Sequence, residues 1–159
     1  MDLMGSLRGS WVVALLLFCC VPAEGNPLAP TAPHVPFPPG RPHSSNLNSI
    51  CTHGPHRPRY PKDSLPTNFF SYIHRQVDAI NRLEESYQVC CKVYTPQNTD
   101  STLSCVSKAW LDALTLYCED EFSVKTKVYE CCGYEGEAMW SCFARRAPNP
   151  SYLHPPPKQ

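Results

Sequence analysis

Two pairs of adjacent cysteines, Cys90-Cys91 and Cys131-Cys132, constrain this chain more than any other feature. Neighbouring residues on a helix point about 100° apart, because a turn holds 3.6 residues. Side chains splayed in this way are poorly placed to bond each other, and each reaches a different neighbouring element. An adjacent pair is therefore a two-way staple at a helix junction, and the chain carries it twice.

The N-terminus says where such staples form. Arg8 precedes an apolar run from Trp11 to Val21, followed by Pro22-Ala23-Glu24-Gly25. Small residues at Ala23 and Gly25 suit the −3 and −1 positions of a signal-peptidase site, which assigns 1–25 as a cleaved signal peptide. A transmembrane anchor is the competing reading, but the run is about half the roughly 20 residues a bilayer needs. No later stretch is longer, so a secreted protein without a membrane span is expected. Cleavage removes Cys19 and Cys20 and leaves Cys51, Cys90, Cys91, Cys105, Cys118, Cys131, Cys132 and Cys142. An even set in an oxidising compartment reads as four disulfides. A reduced, metal-binding or catalytic set would want CxxC knuckles, His-x3–5-His spacing or an odd cysteine, and the sequence has none. No metal and no cofactor are expected.

Charge excludes little. Without Asp2, Glu24 and Arg8 the side chains number 13 basic and 12 acidic, a net of +1. Nothing in that balance calls for nucleic acid or an anionic membrane.

Proline draws the internal boundaries. Of 18 prolines, 11 fall between Pro27 and Pro66 and five at or beyond Pro148, with Pro96 alone between Thr67 and Ala147. Proline breaks helices and favours extended backbone. The expected plan is a Pro-rich arm over 26–66, a helical domain over 67–147 and a Pro-rich tail over 148–159. Cys51 tethers the second half of the arm; the first half, through about Pro42, is expected to be disordered.

Within the domain, Phe69/Phe70, Ile73, Val77, Ile80, Leu83/Glu84, Tyr87 and Cys90/Cys91 recur at steps of three and four. That period predicts a helix over about 67–91, with Arg75, Asp78, Arg82 and Glu85 on the other face. A loop from Thr95 to Asp100 leads to a second helix over about 102–121, striped by Leu103, Val106, Trp110, Ala113/Leu114 and Tyr117. Ser123 is expected to cap a short third helix through Cys131/Cys132. Gly133 and Gly136 supply the stop and turn, and a fourth short helix holds Ala138, Met139, Cys142 and Phe143. The fold class is all-α: a small disulfide-stapled helical bundle with an extended arm and tail.

Eight cysteines allow 105 pairings, and spacing alone does not choose among them. One exclusion follows from geometry. Cys105 and Cys118 sit in the first and last turns of the second helix, roughly 20 Å apart at 1.5 Å per residue, so they do not bond each other. The cysteines also repeat as single, double, single: Cys51, Cys90-Cys91, Cys105, then Cys118, Cys131-Cys132, Cys142.

The nine-residue gap between Cys132 and Cys142 resembles the double-cysteine signature shared by serum albumin and extracellular matrix protein 1. Phe37-Pro38-Pro39-Gly40-Arg41-Pro42, Asn46-Leu47 and Ile50-Cys51 resemble the opening of a repeat in the second family. Glu121-Phe122-Ser123-Val124-Lys125-Thr126 and Cys142-Phe143-Ala144-Arg145-Arg146-Ala147-Pro148 resemble its later blocks, so the likeness runs from about Phe37 to Tyr152. It implies an albumin-like arrangement in which each pair bonds one cysteine downstream and one upstream. Carried over, that gives Cys51–Cys91, Cys90–Cys105, Cys118–Cys132 and Cys131–Cys142. The family's chains hold several such segments and this sequence holds one, so multivalent bridging is not expected. Asn98-Thr99-Asp100 is not a sequon, and N-glycosylation is not expected either.

Signs of catalysis are missing: no HExxH, GxSxG, phosphate-cradling glycine loop or Ca²⁺ loop is present. Glu84-Glu85 and Glu119-Asp120-Glu121 read as solvated helix faces. His53, His56, Arg57, Arg59 and Lys62 form the most suggestive surface, a Pro-stiffened loop that suits sulfated glycosaminoglycan or acidic protein through arginine forks, with a merely solvated loop as the plainer reading. Arg145-Arg146 reads as a basic helix end rather than a processing site. The expected function is non-enzymatic binding of extracellular matrix or cell-surface proteins, growth factors or proteases. The alternatives are a small albumin-like carrier of an apolar ligand and a secreted signalling ligand.

Overall fold

The computed structural model describes residues 34–61, 65 and 71–154. The expected signal peptide, Lys62 and the beginning of the first predicted helix lie outside them. Among the described residues there are four α-helices and no strand: α1 (Ser44–Thr52), α2 (Ser71–Cys91), α3 (Thr99–Phe122) and α4 (Gly136–Arg146). Short 3₁₀ turns follow α1 at Gly54–His56 and precede α4 at Glu130–Gly133.

α2 and α3 form the frame, and their apolar stripes explain why. Ile73, Val77, Ala79, Ile80, Leu83, Tyr87 and Cys90 bury one face of α2. Val106, Trp110, Ala113, Leu114, Tyr117 and Cys118 bury the facing side of α3. The helices run antiparallel: Cys90 meets Cys105 at one end, while Arg75 meets Glu121 at the other. Asn98 precedes α3, and its carbonyl accepts from the Thr102 hydroxyl at 2.9 Å. That bond starts the helix three residues before the position predicted from its apolar stripe.

Four disulfides join Cys51–Cys91, Cys90–Cys105, Cys118–Cys132 and Cys131–Cys142, with Cα–Cα distances of 5.3, 5.7, 5.3 and 5.4 Å. Each adjacent pair thus ties one element upstream and one downstream. Cys105 and Cys118, at opposite ends of α3, lead to different neighbours.

The structure departs from expectation in three places. The segment after α3 is not a helix. Ser123 ends α3 instead of starting a new one, its hydroxyl bonding the Asp120 carbonyl at 2.7 Å. The Tyr129 amide is then taken by the Glu121 carboxylate at 2.7 Å, leaving only the 3₁₀ turn to carry Cys131 and Cys132.

Second, the arm contains α1. The stretch between Pro42 and Pro55 is free of proline and places Leu47 and Ile50 on one buried face. The His43 amide donates to Asn46 Oδ1 at 2.8 Å, fixing its first turn.

Third, residues 34–41, the described part of the arm before Pro42, are held by packing. Phe37 inserts into an aromatic cluster, 4.5 Å from the Tyr117 ring centre and 5.4 Å from that of Tyr129, and Tyr129 stacks on Phe143 at 5.6 Å. Phe37 is partly buried, so it recovers part of the about 1.5–3 kcal/mol that full burial of such a side chain gives, set against a backbone already stiffened by proline. The tail does likewise through Tyr152, which is buried. Arm, helices and tail therefore form one compact unit among the described residues.

Candidate functional site

Arm and tail meet on one side of α2, and this junction gathers most of the unusual chemistry of the molecule. Gly40 lies against Pro150 so closely that a Cβ there would sit 2.8 Å from the Pro150 Cα. The buried Asn46 amide donates to the Arg41 and Pro150 carbonyls, each at 2.9 Å, joining the two segments. The Tyr152 hydroxyl donates to the Gly40 carbonyl at 2.6 Å and lies 3.1 Å from the Tyr87 hydroxyl. Tyr152 holds φ at 53°, a left-handed conformation a tyrosine adopts only under constraint, and these contacts supply it. Trp110 adds a bond from its indole N–H to the Pro39 carbonyl at 3.0 Å, and Arg41 pairs with Glu137 of α4.

Beneath the junction is a buried ion-pair network. Arg57 Nε lies 2.6 Å from Glu84 Oε1, with the two side chains only 11% and 6% exposed. Its remaining N–H groups donate to the Ile50 carbonyl at 2.8 Å and to the Ser49 carbonyl at 3.3 Å in the last turn of α1, the second of which also accepts from the His53 amide at 3.1 Å. Arg57 also stands over the Tyr152 ring, 5.2 Å from its centre. Arg59 approaches Glu84 Oε2 at 3.3 Å, an ion pair without hydrogen-bond geometry, and bonds the carbonyls of Arg57 and Gly54. Glu121 repeats the theme in α3, paired with Arg75 at 2.5 Å.

These contacts revise two expectations. Glu84 and Glu121 are not part of a solvated face; each is buried and neutralised by an arginine. The cationic loop is also divided. Arg57 is turned inward and spent on Glu84 and α1, Arg59 is largely spent, Lys62 lies outside the described residues, and the histidines remain at the surface. His53 and His56 sit 5.9 and 5.5 Å, ring centre to ring centre, from His154 of the tail. Sequence reasoning missed His154 and the buried carboxylates. Tyr152 lies 65 and 112 residues from its partners Tyr87 and Gly40, and no local spacing announces such contacts.

Clefts open among the described residues. A cleft of about 140 Å³ opens between the arm prolines Pro36 and Pro38, Tyr60, Ile80 and Leu153 of the tail. Ligand pockets usually span about 300–1,000 Å³, so this one is too small for a long acyl chain. A wider cleft of about 450 Å³ between α2 and α4 is edged by Glu121, Lys127, Glu130 and Arg146, a charged rim unlike an apolar carrier site. No helix among the described residues is long and apolar enough to cross a membrane.

Comparison with known proteins supplies what the geometry leaves open. The family model for extracellular matrix protein 1 matches residues 33–159. The chain belongs to the extracellular matrix protein 1 family. It is 44% identical to extracellular matrix protein 1 of Rattus norvegicus over 117 residues, and 42% and 41% identical to those of Mus musculus and Homo sapiens over 117 and 116 residues. These alignments cover 74%, 74% and 73% of this chain but only 20%, 20% and 21% of the relatives, so the chain spans about a fifth of their length. No solved structure matches it. Family membership and four closed disulfides together make it an extracellular protein.

Proposed function

We propose that this member of the extracellular matrix protein 1 family is a non-enzymatic binding protein of the extracellular matrix that works through protein–protein contacts. The observation that carries the reading is the family match, which runs through every disulfide and both segments of the arm–tail junction. The physical arrangement supports it. Buried ion pairs and staples hold the interior together, while large apolar side chains such as Val89, Val93 and Phe122 remain more than half exposed. The inward arginines argue against sulfated glycosaminoglycan as the partner, and the small cleft argues against an apolar cargo.

The test is solid-phase binding of the folded, disulfide-intact protein to individual purified matrix proteins. Saturable binding that disappears after reduction is expected for at least one of them. A panel showing no saturable binding, or binding equal before and after reduction, overturns the proposal. Native mass spectrometry after expression in lipid-rich medium separates the carrier alternative, which requires a co-purifying lipid.

A further inference from the structure

We propose that Cys90–Cys105 is a thiol–disulfide exchange site, opened by a dithiol reductant of the oxidoreductase class that attacks the Cys105 sulfur, while the other three disulfides stay closed. This inference is independent of the partner-binding function above.

Access separates this bond from its neighbours. Cys118, Cys131, Cys132 and Cys142 are buried and packed in the core, so both bonds of the second repeat lie inside. Cys51 and Cys91 are each half-buried. The ends of Cys90–Cys105 differ sharply: Cys90 is 5% exposed, whereas Cys105 is the exposed one of the eight bonded cysteines. The helix explains the difference. Thr102, Val106, Trp110, Ala113, Leu114 and Tyr117 form the buried face of α3. Cys105 precedes Val106 and points about 100° away from it, outside that stripe.

The surroundings give a reductant somewhere to sit. Cys90 and Cys105 line a surface cleft of about 310 Å³ with Ser86, Val89, Lys108, Ala109 and Asp112. Val89 is 63% exposed and Val93, four residues on, 61%, so apolar contact area flanks the sulfurs. Lys108 and Asp112 pair at 2.5 Å, which leaves the cleft without net charge to repel a thiolate.

The chemistry is a two-step exchange. A thiolate of the reductant bonds the Cys105 sulfur, and the Cys90 sulfur leaves as a thiolate that takes up a proton. The second thiol of the reductant, as its thiolate, then displaces Cys105 and closes the reductant's own disulfide. Two electrons pass to this chain, which gains two thiols. Rates of such exchange follow access and the sulfur attacked, and exposed disulfides are the labile ones. Opening the bond does not dismantle the frame. The buried stripes of α2 and α3 and the Arg75–Glu121 pair still join the helices, and Cys51–Cys91 still ties α1 to the end of α2. Only the 92–98 connection gains freedom.

The experiment incubates the disulfide-intact full chain with reduced thioredoxin in native buffer, and separately with dithiothreitol. Thiols are trapped with N-ethylmaleimide and located by peptide mass spectrometry. Cys90 and Cys105 are expected to be labelled together, about ten-fold faster than any other cysteine, with the helical circular dichroism unchanged. A thioredoxin whose second active-site cysteine is replaced by serine is expected to be caught as a mixed disulfide on Cys105. Earlier labelling of any other pair, or labelling of all eight together with loss of helix, would overturn the proposal. A mixed disulfide on Cys90, or none at all, would overturn it as well.

Discussion

At the scale of single residues, the molecule depends on a few positions where nothing else fits. Gly40 is one. A methyl group there would lie 2.8 Å and 3.0 Å from backbone atoms of Pro150 and 3.1 Å from the Tyr152 ring, and backbone does not swing aside as a flexible side chain does. Gly40→Ala is expected to destabilise by about 1–3 kcal/mol, read as a lowered Tm, with increased tyrosine exposure as the tail lifts. Glu84 is another. Replacing it by glutamine leaves the Arg57 charge buried without its counter-ion, and a loss of roughly 3 kcal/mol is expected in urea unfolding. The double variant Glu84→Leu/Arg57→Met is expected to recover part of that loss, because no uncompensated charge remains. It does not recover all of it, since Arg57 also holds the Ser49 and Ile50 carbonyls. A double variant no more stable than Glu84→Gln would show that the arginine acts through those carbonyls alone.

At the scale of elements, the staples decide how α2 and α3 hold together. The Cys90–Cys105 disulfide closes a loop of 15 residues and Cys51–Cys91 one of 40. Chain entropy makes these worth roughly 3 and 4 kcal/mol. Cys90→Ser/Cys105→Ser is expected to lower the urea midpoint by the smaller amount and Cys51→Ser/Cys91→Ser by the larger, with the second also loosening α1. The reverse order would mean that native packing, not loop length, sets their contribution. The same elements show what the sequence made readable. α2 and α4 were legible because their stripes are long or bounded by glycine, and α3 because its apolar period runs through five turns. α1 was hidden by the proline count around it, although Leu47 and Ile50 at i,i+3 inside a proline-free stretch were a usable signal. The missing third helix was illegible because a distant decision, the Glu121 carboxylate capturing the Tyr129 amide, overrode local preference. The arm–tail junction was illegible for the same reason, since no periodicity links Gly40 to Pro150.

For the whole molecule, buried phenols set the upper limit of pH. Burial pushes the Tyr87 hydroxyl well above its ordinary value of 10.0, with further upward contributions from Tyr152 and Glu84, and burial raises Tyr152 too. Tyr117 is raised by burial and by the Glu121 charge. A raised pKa means the folded chain keeps protons that the unfolded chain releases near pH 10. The contribution is fully present below that point and is lost as pH rises beyond it. Unfolding by alkali is therefore expected to start above about pH 10, with a cooperative jump in tyrosinate absorbance that coincides with loss of helix. Smooth, non-cooperative ionisation of all eight tyrosines would contradict the buried assignment.

The double cysteines also have a mechanical meaning. A pull applied at Cys51 and Cys142 need not travel the 91 residues between them, which would extend to about 310 Å. The load crosses to Cys91, steps to Cys90, crosses to Cys105, follows α3 to Cys118, and crosses twice more through Cys132 and Cys131. Only the 13 residues from Cys105 to Cys118 can lengthen, the single step inside each pair being fixed at about 3.8 Å, so the tether is taut at roughly 75 Å. With its disulfides closed, the segment from Cys51 to Cys142 behaves under tension as a short link with a single extensible helix, and all of its give resides in α3.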